Sequence, residues 1–374
     1  MSKSLLVILY SLFLTGVLIF TYLFVDRNLL FLKDLYTGFY WDYREATAIG
    51  YTIIVLVFFI FFFLFLKNLN KLSLKILIAL TSVLLFFSYP AFTSYDIFNY
   101  ISTSRVLFHY HENPYLITPS EFVGDEYLPF TRATNKTALY GPSWTLVTGI
   151  PYFLGFGNFI LTLFSFKLFS LLSYLGLSFL VYKLSRSKLS LALFALNPLV
   201  IIELLVSSHN DSFMMFFALL SFYFLSKKKF ISSAVSLATS ILVKFATIFL
   251  LPLYFFVAWK IKQGKQVKWE KIYLYASLSM ILIFLLSFLR EEIYPWYAIW
   301  FLAFTCLIPR VKWLLYLTSG LSFGLLLSYI PYMYIGTYFG ITPILKYALL
   351  FSSVALSLIL YFFEETWRKN LHLS

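Results

Sequence analysis

Runs of apolar residues with almost no charge recur along the whole chain, and such a run has few places to fold. A hydrocarbon core about 30 Å thick is crossed by about 20 apolar residues in a helix. Twelve crossings can be marked, near residues 4–25, 46–66, 72–92, 158–183, 189–206, 212–226, 230–243, 245–259, 272–289, 296–309, 312–333 and 343–363. The seventh, eighth and tenth are short. Pro252 inside the eighth and Lys244 between the seventh and eighth point to a broken or re-entrant hairpin, so ten full spans plus that hairpin fit as well as twelve. The expected fold is therefore an all-α polytopic membrane protein of about 10–12 transmembrane helices. Composition excludes a soluble alternative: 61% of the 374 residues are hydrophobic and 12% charged, against roughly 45–50% and about 25% in an ordinary soluble domain.

Charge sorts by side on this topology. One set of loops holds 19 basic residues against 3 acidic ones, and the opposite set holds 7 basic against 12 acidic. Cytoplasmic loops carry an excess of Lys and Arg, so the basic set and both termini are expected inside. The net charge of +13 then reflects orientation and anionic inner-leaflet lipid, not nucleic acid. The first run is too long for a signal-peptide core, and Asp26 and Arg27 follow it without a small-residue cleavage site, so a retained span is expected. The single Cys306 excludes an internal disulfide framework. No repeat or linker interrupts the chain, which reads as one transmembrane domain over 1–374. The longest cytoplasmic loop, 260–271, cannot house a nucleotide-binding fold, and no Gly-rich phosphate motif occurs. Any donor must come from the membrane or from outside.

Most of the chemistry falls in the large non-cytoplasmic loop 93–143, which begins SYDIFNYISTSRVLFHYHENPY at Ser94 and is followed by ALYGPSW ending at Trp144. Apolar spacing over 97–111 predicts a helix lying on the membrane, with Asp96 at its N-terminus, where the helix dipole favours a carboxylate. Asp96 is either a functional acid or merely that helix's cap. Residues 143–157 are apolar, but a crossing there would put Lys183, Arg186 and Lys188 outside. They are expected to form a second interfacial helix, with Tyr140, Trp144 and Tyr152 as interfacial aromatics. Two such helices would roof a lateral cavity open to lipid.

A second cluster is SSHND, Ser207 to Asp211, preceded by Glu203 within a span. At a spacing of four, Glu203, Ser207 and Asp211 would share one helical face. His209 and Asp211 lack a third ligand at metal spacing, so no metal site is assigned, while a divalent cation is left open. Glu291 and Glu292 precede YPWY in an outer turn. Lys244 lies in an apolar stretch, where it either snorkels, pairs with Glu203, or clamps a lipid phosphate together with Arg105 or Arg132. Gly320 and Gly324 give a GxxxG spacing that suits close helix packing.

Taken in order, YDIFNYISTSRVL with ENPY, YGPSW, NPLVIIELLVSSHND, ILVKFATIFLLP and YPWYAIW resemble membrane glycosyltransferases of the GT-C class. The similarity is to the polyprenyl-phosphate-mannose-dependent alpha-mannosyltransferases and the GPI mannosyltransferase group, over roughly Tyr89 to Tyr297. The acidic pair that this group carries in the loop reads Tyr95-Asp96 here, leaving Asp96 as the sole matching acid. The resemblance implies inverting transfer of a hexose, mannose foremost, from a polyprenyl-phosphate donor to a lipid-linked or cell-envelope glycan on the non-cytoplasmic face. Asp96 would be the base, Arg105, Lys244 and Arg132 would meet the donor phosphate, and Asn113, Tyr115, Tyr140, Glu203, His209, Asn210 and Asp211 would line the substrates. The partners expected are that donor, a glycan acceptor and the bilayer. Three rival classes are a secondary transporter, which should show two related halves with paired broken helices, an acyltransferase using His209, and a polymerase or flippase of lipid-linked glycans.

Overall fold

The computed structural model describes residues 2–25, 39–289 and 292–371, with side chains as far as Thr366. Asp26, Arg27 and Glu291, and the side chains of Arg368 and Lys369, lie outside the described residues.

The chain is an all-α polytopic membrane protein: among the described residues there is no strand. Seven helices there are long and apolar enough to cross a bilayer: Lys3–Phe24, Arg44–Lys67, Phe159–Ser185, Phe245–Lys262, Trp269–Leu289, Lys312–Ile335 and Thr342–Thr366. An eighth is obtained if Lys188–Ala195 and Pro198–Val206, bent by 51° at the intervening break, count as one span. The break falls at Pro198, which has no backbone N–H to continue the helix, and Asn197 Oδ1 accepts from Leu199 N at 2.9 Å at the start of the second piece. Leu74–Phe86, Asp211–Ser226 and Phe230–Ile241 are shorter apolar helices. The run near 296–309 contains only the eight-residue helix Ala298–Thr305 after a 3₁₀ turn at Pro295–Tyr297. Local backbone chemistry shortens the others. Leu74–Phe86, for example, ends before Ser88 and Tyr89, where Pro90 disfavours helix in the residue ahead of it. Large apolar side chains point outward from these helices, Leu12 at 65% exposed and Phe255 at 63%, as expected of a chain whose solvent is lipid.

The chain forms two compact units. The first comprises residues 1–40, 73–180 and 201–267. In it, Tyr10 hydrogen-bonds Thr81 at 2.8 Å between the first helix and Leu74–Phe86, and Ser233 donates to Ser221 O at 2.8 Å between Phe230–Ile241 and Asp211–Ser226. The second comprises 41–72, 181–200 and 268–374. There Gly320 and Gly324 let two helices touch: a Cβ at Gly324 would lie 2.9 Å from the Leu350 backbone. Lys346, in an apolar run, is ion-paired with Glu292 in this unit.

Candidate active site

Asp96, Glu203, His209, Asp211 and Lys244 all belong to the first unit. The Asp96–Phe108 helix begins at Asp96, yet Asp96 does not cap it: Tyr95 occupies the cap position without a side-chain bond, and Ser94 Oγ accepts from Asp96 N at 3.2 Å. The carboxylate is therefore available for other contacts, at a helix end whose dipole favours negative charge. Tyr100, one turn on, shares its face. The helix stops at Phe108, shorter than the expected 97–111, and His111 takes a left-handed φ of 58° before Asn113-Pro114.

Residues 201–206 form a π-helical turn, and the chain leaves the helix at Ser207–Asn210, with Ser208 at φ 61°. The expected common face of Glu203, Ser207 and Asp211 is therefore overturned, because the wide turn and the reversal at Ser208 break the spacing of four. Instead the chain folds back on itself. His209 N donates to Glu203 O at 3.0 Å, and the fully buried imidazole sits between two carboxylates. Its Nδ1 is 3.4 Å from Asp96 Oδ2 and its Nε2 is 3.2 Å from Glu203 Oε2. The next helix, Asp211–Ser226, begins immediately after.

A third strand of the chain closes the group. The Phe230–Ile241 helix breaks at Leu242–Lys244, and Lys244 is extended, with φ −145°. YGPSW docks on that break: Gly141 N donates to Val243 O at 2.9 Å and Ser143 N to Leu242 O at 3.0 Å. The docking holds Tyr140 beside the centre, its ring 4.8 Å from that of Tyr100 and 5.8 Å from Lys244 Nζ, with its hydroxyl toward Asp96. Lys244 Nζ donates to Asp211 Oδ2 at 2.7 Å. The segment 143–157 is helical in two short pieces, Pro142–Val147 and Gly149–Phe153. The side chains of Tyr140 and Trp144 are buried within the protein, where they pack on Tyr100.

Exposure grades across the cluster. Glu203, His209 and Asp211 are inaccessible, whereas the side chains of Asp96 and Lys244 keep 20% and 14% exposure and so form its open edge. Burial raises a carboxyl pKa, but the hydrogen bond and charge of His209, with Lys244 and Tyr140, more than offset it and hold Asp96 below its ordinary range. Burial likewise disfavours the imidazolium, yet Asp96 and Glu203 outweigh it and raise His209 to about 9. Burial and the neighbouring Asp96 and Asp211 push the Tyr100 and Tyr140 hydroxyls upward, so both stay protonated donors.

The structure thus brings together Asp96, Tyr140, Glu203, His209, Asn210, Asp211 and Lys244. It sets Arg105 apart: nine residues along the helix from Asp96, on a face turned by about 180°, Arg105 donates to Asp125 at 2.7 Å and stacks over Tyr127 at 4.1 Å. Arg132 is exposed and lies over the Tyr95 ring at 4.5 Å, beside the residue that precedes Asp96 in sequence. Asn113 Oδ1 accepts from Tyr115 N at 3.0 Å in a turn. Tyr115 donates to Tyr140 O at 2.9 Å, which places it behind the site as a support. Tyr100 went unselected in the sequence, although its hydroxyl accepts from Asn210 N at 3.2 Å; a spacing of four from Asp96 is the signal that marks it. Both polar atoms of the Asn210 amide are buried without a hydrogen-bond partner among the described residues. No group of three or more His, Cys, Asp or Glu among the described residues could hold a metal ion.

Residues 16–261 match the family described as alpha-(1->6)-mannopyranosyltransferase, N-terminal domain, a stretch that contains every member of this cluster. No curated protein and no solved structure matches the chain.

Proposed function

The chain belongs to the alpha-(1->6)-mannopyranosyltransferase N-terminal domain family and is thus a GT-C-like membrane mannosyltransferase, and we propose that it transfers mannose from a polyprenyl-phosphate donor to a glycan hydroxyl on the non-cytoplasmic face, with inversion. The observation that carries this reading is Asp96, an ionised, part-exposed carboxylate with His209 behind it and a lysine beside it. The acceptor oxygen attacks C1 of the sugar, and its proton passes to an Asp96 oxygen. The bond from C1 to the phosphate oxygen breaks, and its electron pair leaves with the lipid phosphate. Lys244, at the same open edge, meets the negative charge that develops there, with Arg132, over the Tyr95 ring, as a further cation.

A base must begin ionised, and His209 keeps Asp96 so. Glu203 in turn holds the imidazolium from the buried side. The Asn210 amide, buried and without a partner among the described residues for either polar atom, suits the hydroxyl-rich edge of a hexose. A donor carrying its energy in the sugar–phosphate bond requires no nucleotide fold, and helices with lipid-facing apolar surfaces let its polyprenyl tail remain in the bilayer.

Purified protein incubated with a panel of polyprenyl-phosphate hexoses and a membrane glycan extract should release free polyprenyl phosphate from the mannosyl donor and yield a product of opposite anomeric configuration. Mannosyl transfer only from a nucleotide sugar, or retention at C1, overturns the reading. Sidedness has its own test in a Cys306→Ser background. Val123→Cys, at a site 92% exposed, should react with an impermeant maleimide on intact cells, and Lys228→Cys should not.

A further inference from the structure

Lys167 lies in the third turn of the Phe159–Ser185 helix with 2% of its surface exposed, and among the described residues no carboxylate pairs with it. A lysine in such a position needs acceptors, since an apolar residue would fill the space without the cost of burying an amine. It has three. Nζ lies within hydrogen-bond distance of Ser88 Oγ at 2.9 Å, Leu205 O at 3.2 Å and Val206 O at 3.2 Å.

Two of those acceptors are the last carbonyls of the π-helical turn 201–206. Carbonyls at a helix end have no intrahelical donor, and inside a membrane no water replaces one. One turn along the same face as Lys167, Ser170 Oγ donates to Ser208 O at 3.1 Å. From the other side, Ser207 N and His209 N donate back to Ile202 O and Glu203 O, and Ser207 Oγ meets Thr93 Oγ1 at 2.6 Å. The turn that leaves the helix is thus clamped at its carbonyls by a single helix face, and it carries His209.

We infer that Lys167, assisted by Ser170, is a positioning residue for the active site: by holding the carbonyls of Leu205 and Val206 it fixes the Ser207–Asn210 turn so that His209 stands between Asp96 and Glu203. This rests on the reading of that turn as part of the mannosyl-transfer centre. Lys167 touches neither the reacting atoms nor His209, so its effect passes through the backbone.

The test compares Lys167→Met and Ser170→Ala with the full-length parent in detergent, by hydrogen exchange of the 205–212 amides and by steady-state kinetics. In Lys167→Met those amides should exchange at least about tenfold faster while distant helices are unchanged. Its kcat should fall at least about tenfold with donor KM within about threefold, and the pH profile should shift as His209 loses its place. Ser170→Ala should move the same readouts in the same direction by less. A folded Lys167→Met with parental exchange at 205–212 and parental kcat overturns the inference, as does a Lys167→Met that does not fold accompanied by a Ser170→Ala that is parental in every readout. Faster exchange with lost turnover, in a protein whose Asp96→Asn variant stays active, leaves the positioning role standing and removes the base assignment instead.

Discussion

Gly141 N donates to Val243 O at 2.9 Å, a backbone bond that joins two stretches a hundred residues apart and brings Tyr140 to Lys244. The approach leaves no room for a side chain. A Cβ on Gly141 would stand 2.2 Å from Leu242 O, and the obstacle is backbone. Gly141→Ala should therefore cost about 1–3 kcal/mol and lower kcat by parting Tyr140 from Asp96. Gly16, with nothing within 4 Å of its added Cβ, is the control, and Gly16→Ala should leave both stability and turnover unchanged or slightly improved. Thermal denaturation in detergent with turnover on the same samples checks both, and a parental Gly141→Ala removes the packing argument.

The polytopic all-α character was legible because a charge-free run of about 20 residues has one inexpensive destination. The expected count of 10–12 spans was not met: among the described residues seven helices, or eight with the bent pair, are long and apolar enough to cross. The breaks were less legible. Lys244 marks the break at Leu242–Lys244, whereas Pro252 interrupts nothing, because it stands in the first turn of Leu251–Lys262 inside the single span Phe245–Lys262. Nothing in the one-dimensional pattern says that the carbonyls freed at Leu242 and Val243 are met by Gly141 and Ser143. Asp96 and SSHND were each visible as polar residues at the end of an apolar run, while their meeting through His209 was not, since 113 positions separate Asp96 from His209. Helical spacing misled where the helix was not α: the π turn at 201–206 sends Glu203 toward His209 instead of aligning it with Asp211. The same spacing, applied to Arg105, would have set it on the far side of its helix from Asp96.

His209 makes stability depend on pH, with a sign fixed by its carboxylate neighbours. Its folded pKa is raised from 6.5 to about 9, so its contribution is complete below 6.5 and is lost as pH rises through about 9. Asp96 is lowered from 3.8, so its contribution is complete above that value and is lost as pH falls below it. The melting midpoint should then decline between pH 6.5 and 9 in the parent, and His209→Gln should flatten that interval. An identical slope in the variant would show that other groups govern the alkaline limb.

Lys244 has two duties that one substitution cannot separate, because Lys244→Met also deprives the fully buried Asp211 of the ammonium 2.7 Å away. Breaking such a pair from one side costs about 3–5 kcal/mol. The double variant Lys244→Met/Asp211→Asn removes the charge from both sides and should recover most of that stability. If Lys244 also meets the donor phosphate, the double variant should still lose about 1.5–3 kcal/mol in kcat/KM for the donor. Parental donor kinetics in a stable double variant would confine Lys244 to its pairing with Asp211.

Asp96→Asn is the decisive substitution, and the geometry sharpens what it can report. Asn keeps the shape and sits comfortably at a helix N-terminus, and Asp96 does not itself cap the helix, so little stability should change by that route. Asn cannot accept the acceptor's proton, so turnover should fall roughly 10²–10⁴-fold while donor binding persists. Asp125→Asn is the matched control: that carboxylate also faces a cation, Arg105 at 2.7 Å, on the opposite side of the same helix. If loss of any loop carboxylate beside a cation disturbed the site, both variants would lose turnover together. If the chemistry belongs to the acid that meets His209, Asp125→Asn should retain most of the parental rate while Asp96→Asn does not. A folded, donor-binding Asp96→Asn with more than about a third of parental turnover is incompatible with general-base catalysis by this residue, and would direct attention to Asp211 beside Lys244.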